Sequence, residues 1–237
     1  KDMKVSMTLP LIKVKQLSKV FSTNDMLINA LQGIDLDIGQ GEYVSISGPS
    51  GCGKSTLLSL LGLLDTPTTG QIFFEGVDVS QHTLAQATAI RNEKIGFIFQ
   101  QFHLINDLTA FENIALPLRY AKTPLSEKFI IDRVNECLAM VGMSTKAKHK
   151  PTQLSGGQQQ CVAIARALVS KPSVLLVDEP TGNLDSKTSD KIMKTLETLN
   201  NQGTTLCVVT HDIRYAEMAK RKIYLLDGQV LGQTQLG

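Results

Sequence analysis

The sequence predicts an α/β fold built on short buried strands that each end in a polar residue. Three observations predict it. The apolar run Tyr43-Val44-Ser45-Ile46-Ser47 leads into Gly48-Pro49-Ser50-Gly51-Cys52-Gly53-Lys54-Ser55-Thr56 and then into a leucine-rich stretch from Leu57 to Leu64: a strand, a glycine-rich turn and a helix in succession. Ile95-Gly96-Phe97-Ile98-Phe99 ends at Gln100, and Val174-Leu175-Leu176-Val177 ends at Asp178 and Glu179. Such runs have the look of strands buried on both faces whose carboxyl ends carry function. Between them, from Phe102 to about Leu154, the pattern turns helical and predicts an insertion.

Composition sets the bounds. With 237 residues, 42% of them hydrophobic and 19% charged, the chain has material for one large domain with an inserted subdomain. A formal net charge of +2 argues against a dedicated nucleic-acid binder. The basic clusters Lys146-Ala147-Lys148-His149-Lys150 and Lys220-Arg221-Lys222 are expected to be solvated turns. Cys52, Cys137, Cys161 and Cys207 form no C-x-x-C pair, so neither a disulfide framework nor a zinc site is expected, which fits a reducing cytosol. No apolar run approaches the ~20 residues needed to cross a bilayer, and no signal-peptide stretch is present, so membrane contact is expected through a partner.

In chain order, Leu11 to Phe21 and Ile28 to Ile38 alternate apolar and polar residues, the period of half-exposed strands at an antiparallel edge. Phe21, at the end of the first, is either a core aromatic or a platform for a nucleotide base, a contact of about 1 to 3 kcal/mol. The G-x-x-x-x-G-K-[ST] turn follows. Its glycines let the backbone approach an anion, and the next helix aims unpaired N–H groups at the same place. Lys54 adds charge for the β- and γ-phosphates, and Ser55 offers a hydroxyl to Mg2+. Thr66 to Gly70 reads as a turn and Gln71 to Glu75 as a strand. Thr109-Ala110-Phe111-Glu112 has capping-box spacing. Ser126 opens a helix in which Ile130, Val134, Leu138 and Val141 recur until Gly142. The apolar Phe102, Leu104, Ile105 and Leu108 are either core or a docking surface.

Leu154-Ser155-Gly156-Gly157-Gln158 opens a further helix to about Val169, with Ser155 at the N-cap and two glycines that suit close approach to phosphate. Asp178 and Glu179 fit metal binding by the first and water activation by the second; the alternative is a solvated turn before Pro180. Thr205 to Thr210 is another strand, and His211 at its end is functional or merely a helix cap.

Taken together, these motifs resemble the nucleotide-binding subunit of ATP-binding cassette (ABC) transporters over nearly the whole chain. Leu154-Ser155-Gly156-Gly157-Gln158 resembles that family's signature. The resemblance implies a P-loop NTPase (RecA-like) core with an antiparallel β subdomain and an inserted α-helical subdomain. Residues 1–101 and 155–237 would form the core and 102–154 the helical part. It implies ATP and Mg2+ as cofactors, with Phe21 stacking on adenine and Gly48 to Thr56 holding phosphates. Gln100 would touch Mg2+ and the attacking water, Asp178 would support Mg2+, and Glu179 would be the general base. His211 would face the γ-phosphate. Asp185 would cross a dimer interface, and Ser155, Gly156, Gly157 and Gln158 would meet nucleotide held by the opposite copy. The implied partners are a second copy and a separate integral-membrane permease, at the cytoplasmic face of the cell membrane. Thr181-Gly182-Asn183-Leu184-Asp185-Ser186 and Leu116-Pro117-Leu118 resemble the lipoprotein-releasing, macrolide-efflux and antimicrobial-peptide group. The alternatives are the ATPase of an importer and a non-transport ABC ATPase.

Two residues depart from the pattern. Cys52 occupies a loop position where a small side chain suffices. Cys161 stands where the family usually has Arg or Lys, and Cys161→Arg is expected to bring a modest gain in stability or activity.

Overall fold

A computed structural model describes residues 9–23 and 26–235. The chain runs β1 (Ile12–Thr23), β2 (Met26–Ile38), β3 (Tyr43–Ser47), α1 (Lys54–Leu61), β4 (Thr69–Phe74), β5 (Val77–Asp78), α2 (Leu84–Lys94) and β6 (Ile95–Ile98). It continues through α3 (Ala110–Arg119), α4 (Glu127–Met140), α5 (Gly156–Leu168), β7 (Val174–Asp178), α6 (Ser186–Asn201), β8 (Thr205–Val209), α7 (Ile213–Ala216), β9 (Arg221–Leu226) and β10 (Gln229–Gln235).

Two sheets result. The antiparallel one has the order β2-β1-β4-β5, and the other the order β10-β9-β3-β8-β7-β6. Within the second, β9, β3, β8, β7 and β6 are mutually parallel and only β10 is antiparallel. A parallel strand covered on both faces has no polar side to show, which is why β7 (VLLVD) and β8 (TLCVV) read as unbroken apolar runs.

Alternation along these strands feeds two apolar clusters. Leu175, Val177, Leu206 and Val208 face one side, among Ile114, Val134, Leu138, Val162 and Leu196 of α3 to α6. Val174, Leu176, Cys207 and Val209 face the other, among Leu57, Leu58, Leu60 and Leu61 of α1 and the inner residues of the antiparallel sheet. Those four leucines are fully buried, each worth about 1.5 to 3 kcal/mol of transfer free energy. The helices between residues 102 and 154 thus share one continuous core with the parallel sheet.

Local chemistry explains the helix ends. Thr109 and Glu112 close a capping box at α3, and Ser126 caps α4 through Phe129 N–H. At the other end of α5, buried Arg133 of α4 donates to the carbonyls of Leu168 (2.7 Å) and Val169 (2.9 Å), satisfying two acceptors the helix leaves free.

Two expectations fail here. Lys220-Arg221-Lys222 is no solvated turn: β9 begins at Arg221, which is 9% exposed and donates to Asp37, Glu42 and Gln233. Packed between β2, β3 and β10, it needs those acceptors to keep its charge. Cys161, 7% exposed, lies inside the helical-side cluster, and burial pushes its thiol pKa up. The nearest charge acting on it is that of Lys191, a cation. An arginine would meet apolar side chains and a like charge, so a gain from Cys161→Arg is no longer expected.

Candidate functional site

The phosphate-type turn is built as the glycines predict. A Cβ on Gly48 would collide with the carbonyl oxygen of Leu225, and Gly53, at φ +102°, has the Ala30 carbonyl 2.5 Å from where a Cβ would sit. Only glycine fits either place. Gly53 is also the N-cap of α1 and offers no side chain to the first-turn N–H groups, which are left for a ligand. Lys54 Nζ curls back and donates to the carbonyls of Gly48 and Pro49, both at 2.8 Å, closing the loop around its own cation.

The carboxyl ends of β7 and β8 meet this turn. Ser55 Oγ lies 3.3 Å from Asp178 Oδ1, joining residues 123 positions apart. Burial raises the Asp178 pKa above the ordinary carboxylate value, partly offset by the Ser55 hydrogen bond. A hydroxyl beside a carboxylate is a hard oxygen donor pair of the type Mg2+ takes. Glu179 N–H donates to the Val209 carbonyl (2.9 Å), and its Oε1 lies 2.9 Å from His211 Nδ1. The carboxylate can only accept, so that ring nitrogen carries the proton. Glu179 has φ +45°, the left-handed region, unusual for a residue with a Cβ. The Gln100 carbonyl accepts from Asn183 Nδ2 at 3.2 Å.

A cleft of about 420 Å³ unites these groups: Ser50, Gly51, Gly53 to Thr56, Asn29 and Ala30 of β2, and Gln100, Glu179 and His211 all line it. A larger hollow of about 530 Å³ between α2 and Tyr120 has no glycine-rich turn. Phe21 is not a core residue. It is 40% exposed, sits across from Ile28 of the cleft wall, and carries the Lys19 ammonium 5.1 Å from its ring centroid.

Another group of expected residues stays apart from the cleft. Ser155 caps α5, accepting from Gln158 N–H at 3.3 Å while Gln158 Oε1 accepts from Ser155 N–H at 3.0 Å. Gly156 and Gly157 have a packing reason within the chain: a Cβ on Gly157 would strike the Thr188 side chain, and one on Gly156 would sit 3.2 Å from Leu184. Asp185 caps α6 through Thr188 N–H (3.1 Å). Gly48, Pro49 and Cys52 belong to the loop without lining the cleft, and Asp178 reaches it only through its contact with Ser55.

Sequence reasoning passed over residues that fix the loops. Arg166 of α5 donates to the carbonyls of Phe102 (2.9 Å) and His103 (2.7 Å). Asn113 of α3, wholly buried, bonds Ile105 through both its N–H and its carbonyl, and donates also to the Leu108 and Thr109 carbonyls. The segment after Gln100 is thus fastened twice. A polar residue set among the apolar positions of a helix was the available signal for both.

Comparison with known proteins bears on this arrangement. The family described as ABC transporter matches residues 31–182. The chain is 48% identical over 229 residues to the ABC transporter ATP-binding protein MJ0796 of Methanocaldococcus jannaschii, covering 95% of this chain and 97% of that protein. A solved structure of MJ0796, a dimer in a post-hydrolysis state bound to ADP and Pi, superposes with a TM-score of 0.88 at 47% identity, covering 95% of this chain and 99% of that one. The macrolide export ATP-binding/permease protein MacB of Paracoccus denitrificans is 41% identical over 228 residues, 96% of this chain but only 34% of its own length. The family match runs unbroken from the glycine-rich turn through Asp178 and Glu179, and the likeness to MJ0796 extends over almost the whole fold, so this chain belongs to the ABC transporter family as an ATP-binding cassette.

Proposed function

We propose that this chain binds ATP with Mg2+ in the cleft beside the glycine-rich turn and hydrolyses it, powering a membrane permease through an ATP-sandwich dimer. The observation that carries the reading is the meeting of the turn, Gln100, Glu179 and His211 in one cleft. Lys54, freed from the Gly48 and Pro49 carbonyls, pairs with β- and γ-phosphate oxygens. Ser55, Asp178 and Gln100 are the residues that would hold Mg2+, which when bound would supply charge neutralisation at the phosphates. Glu179 accepts the proton of the attacking water, and His211 fixes the Glu179 carboxylate while its far ring nitrogen reaches toward the γ-phosphate. Phe21 stacks on the base.

Ser155, Gly156, Gly157, Gln158 and Asp185 do not line their own cleft, which suits their serving the nucleotide of a second copy. The dimeric MJ0796 structure supports that arrangement. Among the described residues no helix is long and apolar enough to cross a membrane. We assign the membrane part to a separate integral permease that this chain meets at the inner face of the cell membrane, and the transported class to the macrolide-efflux or lipoprotein and peptide group. Residues 102–154 act as the helical subdomain on a core of 1–101 and 155–237. The test is phosphate release from ATP with and without Mg2+. Wild type should turn over only with the cation, and Lys54→Ala should be folded but inactive. Normal turnover by that variant would remove the turn from the site.

A further inference from the structure

Glu179 is held in a conformation its own backbone resists. A non-glycine residue at φ +45° costs on the order of 1 to 3 kcal/mol and persists only where the surroundings over-determine it. On its N-terminal side the restraint is the hydrogen bond from Glu179 N–H to Val209. On its C-terminal side its own carbonyl accepts from Gly182 N–H at 3.2 Å, and the next residue, Pro180, has no N–H, so of that residue only the carbonyl can be gripped. That carbonyl accepts from Gln160 Nε2 at 3.0 Å.

Gln160 sits on α5, five residues after Ser155, and is 0% exposed. Its Oε1 has no hydrogen-bond partner among the described residues. A buried acceptor left unpaired costs about 1 to 3 kcal/mol. An apolar side chain of the same length would remove that orphan but leave the buried Pro180 carbonyl unpaired in its place, so the two costs roughly offset and stability alone does not explain an amide here. What the amide does, and methionine cannot, is hold Pro180.

We propose that Gln160 is a positioning residue for Glu179: its amide fixes the Pro180 carbonyl and so aims the carboxylate at the attacking water, from the helix that begins at Ser155. This rests on Glu179 being the general base. Losing one hydrogen bond's worth of positioning corresponds to roughly a tenfold drop in rate.

The test compares four full-length proteins: wild type, Gln160→Met, Glu179→Gln and the double variant. Gln160→Met should lower kcat about tenfold, leave KM for ATP within about twofold, and leave Tm little changed. In the Glu179→Gln background the same change should cost nothing further, since no base remains to be aimed. A wild-type kcat for Gln160→Met, an equal loss in both backgrounds, or a fall in Tm that tracks the fall in rate would overturn the proposal.

Gln160→Glu covers the case in which Met disturbs packing. A buried carboxyl keeps its proton and donates to Pro180 as the amide does, until rising pH ionises it and sets its charge against that carbonyl. Its rate relative to wild type should be near one at low pH and fall as pH rises. A ratio independent of pH would also overturn the proposal. If Glu179→Gln alone hydrolyses ATP at the wild-type rate, the base assignment fails; if it is inactive while Gln160→Met is normal, only the positioning role fails.

Discussion

Glu179→Gln separates the chemistry of the cleft from its construction. The amide keeps the length of the side chain and an oxygen that can still accept from His211 Nδ1, 2.9 Å away. The Glu179 N–H bond to Val209 is untouched. What disappears is the ability to take a proton. Loss of a positioned general base costs about 10^2 to 10^4 in rate, or roughly 2.7 to 5.4 kcal/mol in the barrier at 1.36 kcal/mol per factor of ten. Removing a negative charge next to Asp178 also lowers repulsion toward the γ-phosphate, so ATP should persist and hold two copies together. Phosphate release measures the first effect, and size-exclusion chromatography with ATP the second. Wild type should elute mostly as a monomer and the variant as a dimer. Adding Ser155→Asp should return it to the monomer, because aspartate still caps α5 but turns a negative charge toward the partner's phosphate. Hydrolysis at the wild-type rate would strike Glu179 from the mechanism. An inactive variant that never dimerises would keep the base and refute the sandwich.

Three further outcomes are expected. Asn113→Ala strips both anchoring bonds from Ile105 and those to Leu108 and Thr109, and should lower stability by about 2 to 4 kcal/mol in urea unfolding. Cys161→Arg, placing a guanidinium in an apolar cluster near Lys191, should destabilise by about 1 to 3 kcal/mol, seen as a lower Tm. Asp178 is an acid whose pKa burial raises in the fold, so its protonated form favours folding at low pH. That advantage is lost as pH climbs from the unfolded through the folded value. In a chelator, Asp178→Asn should therefore flatten this decline of Tm with pH, while abolishing Mg2+-dependent hydrolysis.

Most of the cleft was legible because its chemistry is local in sequence. The glycine-rich turn, Gln100, Asp178 with Glu179, and His211 each follow an apolar strand, and strand ends are easy to find when both faces are buried. The capping box at Thr109 and the N-cap at Ser155 were visible for the same reason: a few neighbouring residues define them. What escaped depends on tertiary context. α2 buries only Ala87 fully and presents almost no apolar stripe. α6 has a clear stripe in Ile192, Met193, Leu196 and Leu199, but it opens on the polar run Ser186-Lys187-Thr188-Ser189-Asp190-Lys191, which carries no apolar period. β9 was hidden behind its own charges, since nothing in Lys220-Arg221-Lys222 announces that Asp37, Glu42 and Gln233 wait for the middle one. Arg166 and Gln160 are polar residues on helix faces whose partners are carbonyls 64 and 20 positions away, and Asn113 reaches back to the loop just before its own helix.

The order of the parallel sheet also governs how the cleft comes into being during synthesis. β3, which delivers the glycine-rich turn, is flanked by β8 and β9, and its register pairs Val44 with Cys207 and Arg221. The two neighbours are translated some 160 and 180 residues later, and neither pairing edge of the strand is met before then. Pairings so remote close slowly, and until they close an apolar strand lies unpaired. The ribosome therefore releases nearly the whole cassette before a nucleotide can find its seat, and a chain stalled before residue 205 would leave both hydrogen-bonding edges of β3 unpaired and open to chaperones or to other chains.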